Sequence, residues 1–232
     1  MRNGFVCIAI VIAIMSSAAS ALGQIYSYET ISGPGPDGFF GLGATVTQDT
    51  IGVTHGQRSM KYDVTLPGGF VGARTETVIP AALNDPPGVV AVLFDMTINT
   101  PYAGTFADIG VTLFGHALNA PGGAQFGHQV QFADTEPIAG KAAGTYRNLR
   151  IDLNQSQGPY RAGESFNQIF GPGPTDLTQS SAFQFYISKN AANPVTVWID
   201  NVRLVVPEPA TCLLLCMGSV LCGALGRRRR NG

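Results

Sequence analysis

Between Gln24 and Val206 apolar and polar residues alternate in short runs, and Gly, Pro, Asn and Asp interrupt the runs. A period of two places every other side chain on one face of an extended strand. The runs predict strands at Gln24–Glu29, Ala44–Gln48, Arg58–Thr65, Phe70–Val78, Val89–Ile98, Ile109–Phe114, His128–Ala133, Tyr146–Leu153, Ala182–Ser188 and Val195–Val205. Tyr146–Leu153 alternates well, with Tyr146, Asn148, Arg150 and Asp152 opposite Arg147, Leu149, Ile151 and Leu153. Val, Thr, Phe and Tyr dominate these runs, as a pleated, half-buried surface favours. Leu66-Pro67-Gly68-Gly69, Asn84-Asp85-Pro86-Pro87-Gly88 and Ala120-Pro121-Gly122-Gly123 punctuate them as turns. One helical turn fits Ser165–Phe170, and Gly33-Pro34-Gly35-Pro36 and Gly171-Pro172-Gly173-Pro174 are twin loops. Ten strands without a long helical pattern predict an all-β fold, a β-sandwich or jelly roll.

The pattern changes at both ends. Met1-Arg2-Asn3 is a short basic start, Phe5–Met15 is an apolar run of 11 residues, and Ala19-Ser20-Ala21 and Ala21-Leu22-Gly23 fit small-x-small cleavage sites. This is the layout of a secretory signal peptide over residues 1–23, too short for a membrane span. Residues 207–232 form the other end. Pro207-Glu208-Pro209 is extended because each proline disfavours helix in the residue before it. The uncharged run Ala210–Leu225 follows, then Arg227, Arg228, Arg229 and Arg230. Its 16 residues at about 1.5 Å each fall slightly short of a ~30 Å hydrocarbon core. Gly226 and snorkelling arginines complete the span as a single membrane helix, with the arginines as a cytoplasmic stop signal.

Charge and cysteine follow the same partition. Residues 24–206 carry 9 Lys and Arg against 14 Asp and Glu, a net of −5, and the terminal arginines bring the whole chain to −1. A mildly acidic domain without a basic cluster argues against nucleic acid as a partner. Cys7 lies in the signal peptide and Cys212, Cys216 and Cys222 in the tail, so the exported domain has no disulfide. Its 183 residues are enough for one well-buried core without such a staple. In the tail the cysteines read as small apolar helix residues rather than metal ligands.

Val206-Pro207-Glu208-Pro209-Ala210, the apolar run and the arginine cluster, in that order, resemble the PEP-CTERM sorting tail of exported proteins of Gram-negative bacteria. The resemblance covers about a ninth of the chain. It implies processing near the triplet by an exosortase, a membrane protease-transpeptidase, after anchoring in the inner membrane. It also implies delivery across the inner membrane to the cell envelope, cell surface or extracellular matrix. The plain alternative is an ordinary C-terminal anchor.

A second resemblance rests on Tyr28-Glu29, on Val53-Thr54-His55-Gly56-Gln57-Arg58-Ser59-Met60-Lys61-Tyr62 and on Val197-Trp198-Ile199-Asp200-Asn201-Val202-Arg203-Leu204. Their order resembles the galactose-binding-like jelly roll of many carbohydrate-binding modules. That family implies a structural Ca²⁺, with Glu29 and Asp200 as side-chain ligands and carbonyls of Gly56–Ser59 completing the set. Hard oxygen donors from separated strands suit that ion. The bland alternative is an acid at a strand end, solvated or paired with Arg.

Catalytic patterns are sparse. His55, His116 and His128 lack the spacings of a zinc site. Ser59, Ser165, Ser180 and Ser181 have no Gly-x-Ser-x-Gly elbow. Asp134 and Glu136 share one side of a strand, yet Pro137 follows at once and favours a turn over a glycosidase pair. Tyr102, Tyr160 and Phe126 stand in loop-like surroundings as sugar-stacking candidates, whereas Trp198, inside the last strand, is expected in the core. The sequence therefore predicts an exported, non-enzymatic β-sandwich, structural or binding in role. A carbohydrate-binding module acting on exopolysaccharide is the first alternative and an envelope glycoside hydrolase or lyase the second.

Overall fold

Fourteen strands are present among the described residues, and they build two antiparallel sheets and one small ribbon. The structure is a computed structural model that describes residues 21–32, 35–65, 69–75, 89–115, 128–157, 163, 165, 182–190 and 192–205. The expected helical turn beyond Ser165, the leader up to Ser20 and the sorting tail lie outside the described residues. All described residues fall in one compact unit, Ala21–Val205. Among them no helix is long and apolar enough to cross a membrane.

Sheet I holds β11 (Gly144–Asp152), β8 (Ala91–Ile98), β14 (Val195–Val205), β6 (Ser59–Val64) and β5 (Thr45–Asp49), in that order. β1 (Ala21–Tyr26) also pairs with β14. The 11-residue β14 is long enough to serve two partners along one edge. Val195–Ile199 pair with β6, and Val202–Val205 pair with β1. Ala21–Gly23, expected in the leader, are the first residues of β1. Sheet II has the order β12 (Ser156–Gln157), β10 (His128–Pro137), β9 (Ala107–Gly115), β13 (Ala182–Lys189), β7 (Gly69–Thr75) and β4 (Phe39–Leu42). β2 (Ile31–Ser32) and β3 (Gly35–Pro36) form the ribbon.

The core lies between the sheets and is aromatic at one end. Phe94 of sheet I meets Phe185 of sheet II with ring centroids 5.2 Å apart. Tyr26 of β1 meets Phe39 at 4.9 Å and Phe183 at 5.6 Å. Met60, Met96, Val197 and Ile199 fill the same layer from sheet I, and Ile109, Val111, Phe132 and Ile187 from sheet II, all fully buried. Each such side chain contributes about 1.5–3 kcal/mol by leaving water.

All ten expected strands exist, and the differences have local causes. β10 runs on through Asp134, Glu136 and Pro137 instead of turning. A proline has no N–H, so it is tolerated at a strand end. The alternation expected over Tyr146–Leu153 breaks, because register shifts between Tyr146 and Leu149 and Asn148 adopts φ 56°. An extra residue in a bulge reverses the side-chain parity. β2, β3, β4 and β12 were not expected, since two- to four-residue strands are too short to show a period.

Candidate functional site

The two outward faces of the sandwich carry different chemistry. On sheet I, Asp200 of β14 stands opposite Asp95 of β8, and both are buried. Asp200 Oδ2 accepts from the Thr54 N–H at 2.6 Å, the Thr54 hydroxyl at 3.0 Å and the His55 N–H at 2.7 Å. Its Oδ1 accepts from the Asn201 N–H at 2.6 Å. None of these donors carries charge. Glu29 Oε1 accepts from the N–H groups of Gln57 and Arg58 at 2.6 and 3.0 Å. The two acids named by sequence thus hold opposite ends of one loop, residues 53–58.

Asp95 holds two bulges. Its carboxylate accepts from the Asn148 N–H at 2.8 Å and from the Asn201 side-chain amide at 3.1 Å. Both asparagines have positive φ, 56° and 53°, a conformation that asparagine tolerates better than most residues. Arg203 donates to Asn148 Oδ1 at 2.6 Å and lies 3.8 Å from Asp95. Burial pushes the Asp95 carboxyl up, but hydrogen bonds from Thr54, Asn148 and Asn201 with the Arg203 charge outweigh it, and the group sits below the ordinary range. Nothing in the sequence singled Asp95 out, because its partners lie 53 and 106 residues away.

The residues at Glu29 and Asp200 offer what a hard cation needs in kind. Asp200 is fully buried with only neutral donors around it. Gly56, at φ 74°, leaves a hollow that a Cβ would fill by overlapping the Glu29 carboxylate. Several lone pairs already receive amide hydrogens, and among the described residues no group of three or more His, Cys, Asp or Glu gathers there. Backbone carbonyls would have to complete the set.

Sheet II presents a polar row. Gln157, Gln131, Thr112, Gln184 and Arg74 stand side by side on β12, β10, β9, β13 and β7 by strand register. Thr112 and Gln184 are buried, and Thr112 Oγ1 and Gln184 Oε1 have no hydrogen-bond partner among the described residues. The next row places Gly110 and Gly72 on either side of Tyr186. The Tyr186 ring lies over Gly110, where a Cβ would overlap it, so the glycine is what admits the ring. The Tyr186 hydroxyl donates to the Phe132 carbonyl at 3.4 Å. Burial raises its pKa most, a hydrogen bond with Gln131 draws it back, and the charges of Asp108 and Asp134 raise it further. The alternation Phe183-Gln184-Phe185-Tyr186-Ile187-Ser188 was the signal for this face: the apolar members enter the core and the polar ones look outward.

Other candidates fall elsewhere. Asp134 Oδ2 accepts from the Asp152 N–H at 2.6 Å and Glu136 Oε1 from the Arg150 N–H at 3.5 Å. These two acids clasp the outer edge of β11 rather than face each other across a cleft. Tyr102, expected in a loop as a stacking platform, is buried, and Tyr160 and Phe126 lie outside the described residues. Trp198 is buried as expected, but not between the sheets. It pairs in register with Lys61 and Thr97 on the outer face of sheet I, and its Nε1–H donates to Asp49 at 2.9 Å. That bond, more than any other influence, holds the Asp49 carboxyl below its ordinary value. His55 contributes its backbone N–H to Asp200, and His116 lies outside the described residues.

No protein-family model matches the sequence, and no curated protein matches it significantly. Solved structures do. The chain is similar to a carbohydrate-binding-module structure of the β-sandwich superfamily, with 16% identity over 81% of this chain and 64% of that one, at a TM-score of 0.49. The chain therefore spans a little under two thirds of that protein. It is also similar to the family 11 carbohydrate-binding module of a cellulosomal cellulase of Clostridium thermocellum, with 14% identity over 82% and 96% of the two chains and a TM-score of 0.48. A family 22 xylan-binding domain matches with 12% identity over 80% and 96%, at 0.42. These are distant likenesses of fold, and what this domain binds has to be read from its own residues.

Proposed function

We propose that the sandwich is a non-catalytic polysaccharide-binding module whose binding face is the outer surface of sheet II. The supporting observation is the row Gln131–Thr112–Gln184, with two buried, unpartnered polar atoms beside Tyr186. A buried polar atom without a partner is costly unless water or a ligand satisfies it. Sugar hydroxyls both donate and accept, so they suit a threonine hydroxyl and a carboxamide together. A row crossing five strands runs in the direction an extended chain of sugars would take across the sheet. Affinity electrophoresis through gels containing xylan, mixed-linked β-glucan, agarose or the producing cell's exopolysaccharide tests this. At least one polymer should retard the protein, and Tyr186→Ala or Gln184→Ala should restore free migration. Unretarded migration in all four would leave a structural matrix role as the better reading.

The same proposal places this module outside the inner membrane. Residues 1–23 export it, and Pro207-Glu208-Pro209, the apolar run and Arg227–Arg230 present the chain to an exosortase-like protease in the inner membrane. An arginine at a helix centre costs on the order of 3 kcal/mol on the insertion scale, so four together hold their end in the cytoplasm. Changing Pro207 and Pro209 to Ala should block trimming of an internally tagged protein in an exosortase-bearing host while export continues. Normal trimming would reduce the tail to a plain anchor.

A structural calcium completes the reading. Glu29 and Asp200 would hold it, with carbonyls from Gly56–Ser59, and it would brace the loop against sheet I. An ion bound only to the native state stabilises by about 2.7 kcal/mol at 100 times its Kd. Calcium should raise the melting temperature and a chelator reverse the rise. A melting temperature indifferent to both would remove the ion.

A further inference from the structure

A cleft of about 500 Å³ opens on the other sheet, at the end of sheet I where β8 and β14 meet their loops. It shares no residue with the polar row of sheet II. Two loops form its walls, Asn99, Thr100 and Pro101 after β8 and Asn193 and Pro194 before β14, with Thr196 of β14 beside them. Lys61 and Trp198 also line it. We infer that this cleft is a second saccharide site, taking a single neutral pyranose residue such as a glycan chain end.

The charge balance selects a neutral ligand. The Lys61 ammonium lies 2.9 Å from Asp63, and the Thr196 hydroxyl donates to the same carboxylate. Asp49, which holds the Trp198 N–H, also feels the Lys61 charge, so one cation faces two carboxylates and none is left for an acidic sugar or a phosphate. The remaining polar side chains are the Thr100 hydroxyl and two carboxamides. Asn99 and Asn193 place one carboxamide in each wall. Each offers two donors and an acceptor, the complement of hydroxyls that do both.

The indole supplies the apolar contact for the C–H face of a sugar ring. Its position is set before any ligand arrives, because Asp49 holds the N–H and Gly52 of the 50–58 loop lies against the Cβ. A proline in each wall stiffens the loops, and a preformed site loses less entropy on binding. Trp198 is only 6% exposed, so it offers a small patch inside the cleft and not an open platform. That favours one residue entering end-on over a chain lying across the sheet.

The chain contains one tryptophan, so its emission reports this cleft and not the face of sheet II. The test titrates the full-length protein, in a detergent without sugar headgroups, with the methyl β-glycosides of glucose, galactose and xylose. At least one should change Trp198 emission saturably, with a Kd on the order of 1–10 mM. The double variant Asn99→Ala, Asn193→Ala should weaken that binding about tenfold or more, and Gln184→Ala on the other sheet should leave it unchanged. The inference is overturned if no glycoside gives a saturable change, or if the double variant binds as tightly as the parent. Retention by a polymer gel that depends on Gln184, with silent tryptophan, would sink this cleft and keep the sheet II reading.

Discussion

The outward acids of sheet I and the outward polar row of sheet II solve opposite problems. Asp200, Asp95 and Asp49 each meet two or more donors, most of them backbone N–H groups, from the 50–58 loop and from the bulges at Asn148 and Asn201. On sheet II, Thr112 Oγ1 and Gln184 Oε1 are just as buried and meet none among the described residues. The first arrangement stabilises, because removing any acceptor strands several buried donors. The second costs stability by itself, a cost that the proposed saccharide would offset. Among the described residues the hydroxyls of Tyr26, Tyr28 and Tyr102 and Gln24 Nε2 are also buried without a partner, so it is the position of Thr112 and Gln184 in one row, not the missing partner alone, that sets sheet II apart.

The sharpest way to break that contrast is Asp200→Ala. It strands the Thr54 and His55 amides and the Thr54 hydroxyl, so it should cost on the order of 3 kcal/mol or more in denaturant unfolding. For a domain of this size that lowers Tm by about 6–12 °C. A loss below about 1 kcal/mol would show that the 53–58 loop is not held by this carboxylate.

Gly110→Ala probes the opposite sheet with an intermediate effect. The added methyl overlaps the Tyr186 ring, so about 1–3 kcal/mol of overpacking is expected, together with weaker polysaccharide retention as the ring is displaced. Full retention with an unchanged melting temperature would mean that the ring does not depend on that glycine.

A smaller effect separates the faces by pH. Asp95 binds its proton less tightly when folded than at its ordinary value of 3.8, so the unfolded chain takes up more protons as acid is added. Its contribution is complete above that value and is lost as pH falls from there through the lower folded value. Asp95→Asn should therefore flatten the acid limb of the stability curve relative to the parent. An unchanged slope would show that the bulge network does not depend on the charge.

The smallest effect should come from Gln184→Leu. Removing a carboxamide oxygen that already lacks a partner should change stability by less than about 1 kcal/mol in either direction while abolishing polymer retention. A large destabilisation would place Gln184 with the acids of sheet I and end the comparison.

The sequence alone determined the ten longer strands of the domain and its class. Alternation along the chain is a local property, and burying one face of a strand requires it, so runs such as Val195–Val205 were legible to the residue. Glu29 and Asp200 were legible as important through a pattern of short segments, and in the structure both accept hydrogen bonds from the 53–58 loop. The tertiary structure decided the rest. Which strands adjoin made Gln131, Thr112 and Gln184 a row, although they lie on three strands far apart in the chain. Bulges at Asn148 and Asn201 shifted register and gave Asp95 its partners, and a bulge leaves almost no trace in composition. Trp198 shows the division most plainly. Its apolar bulk predicted burial, which holds, but only the fold-back of residues 50–58 and the two Asn-Pro loops decided that it is buried on the outside of a sheet, beside a cleft. Side-chain chemistry sets what a residue must avoid, and the distant segments that pack around it set how the chain avoids it.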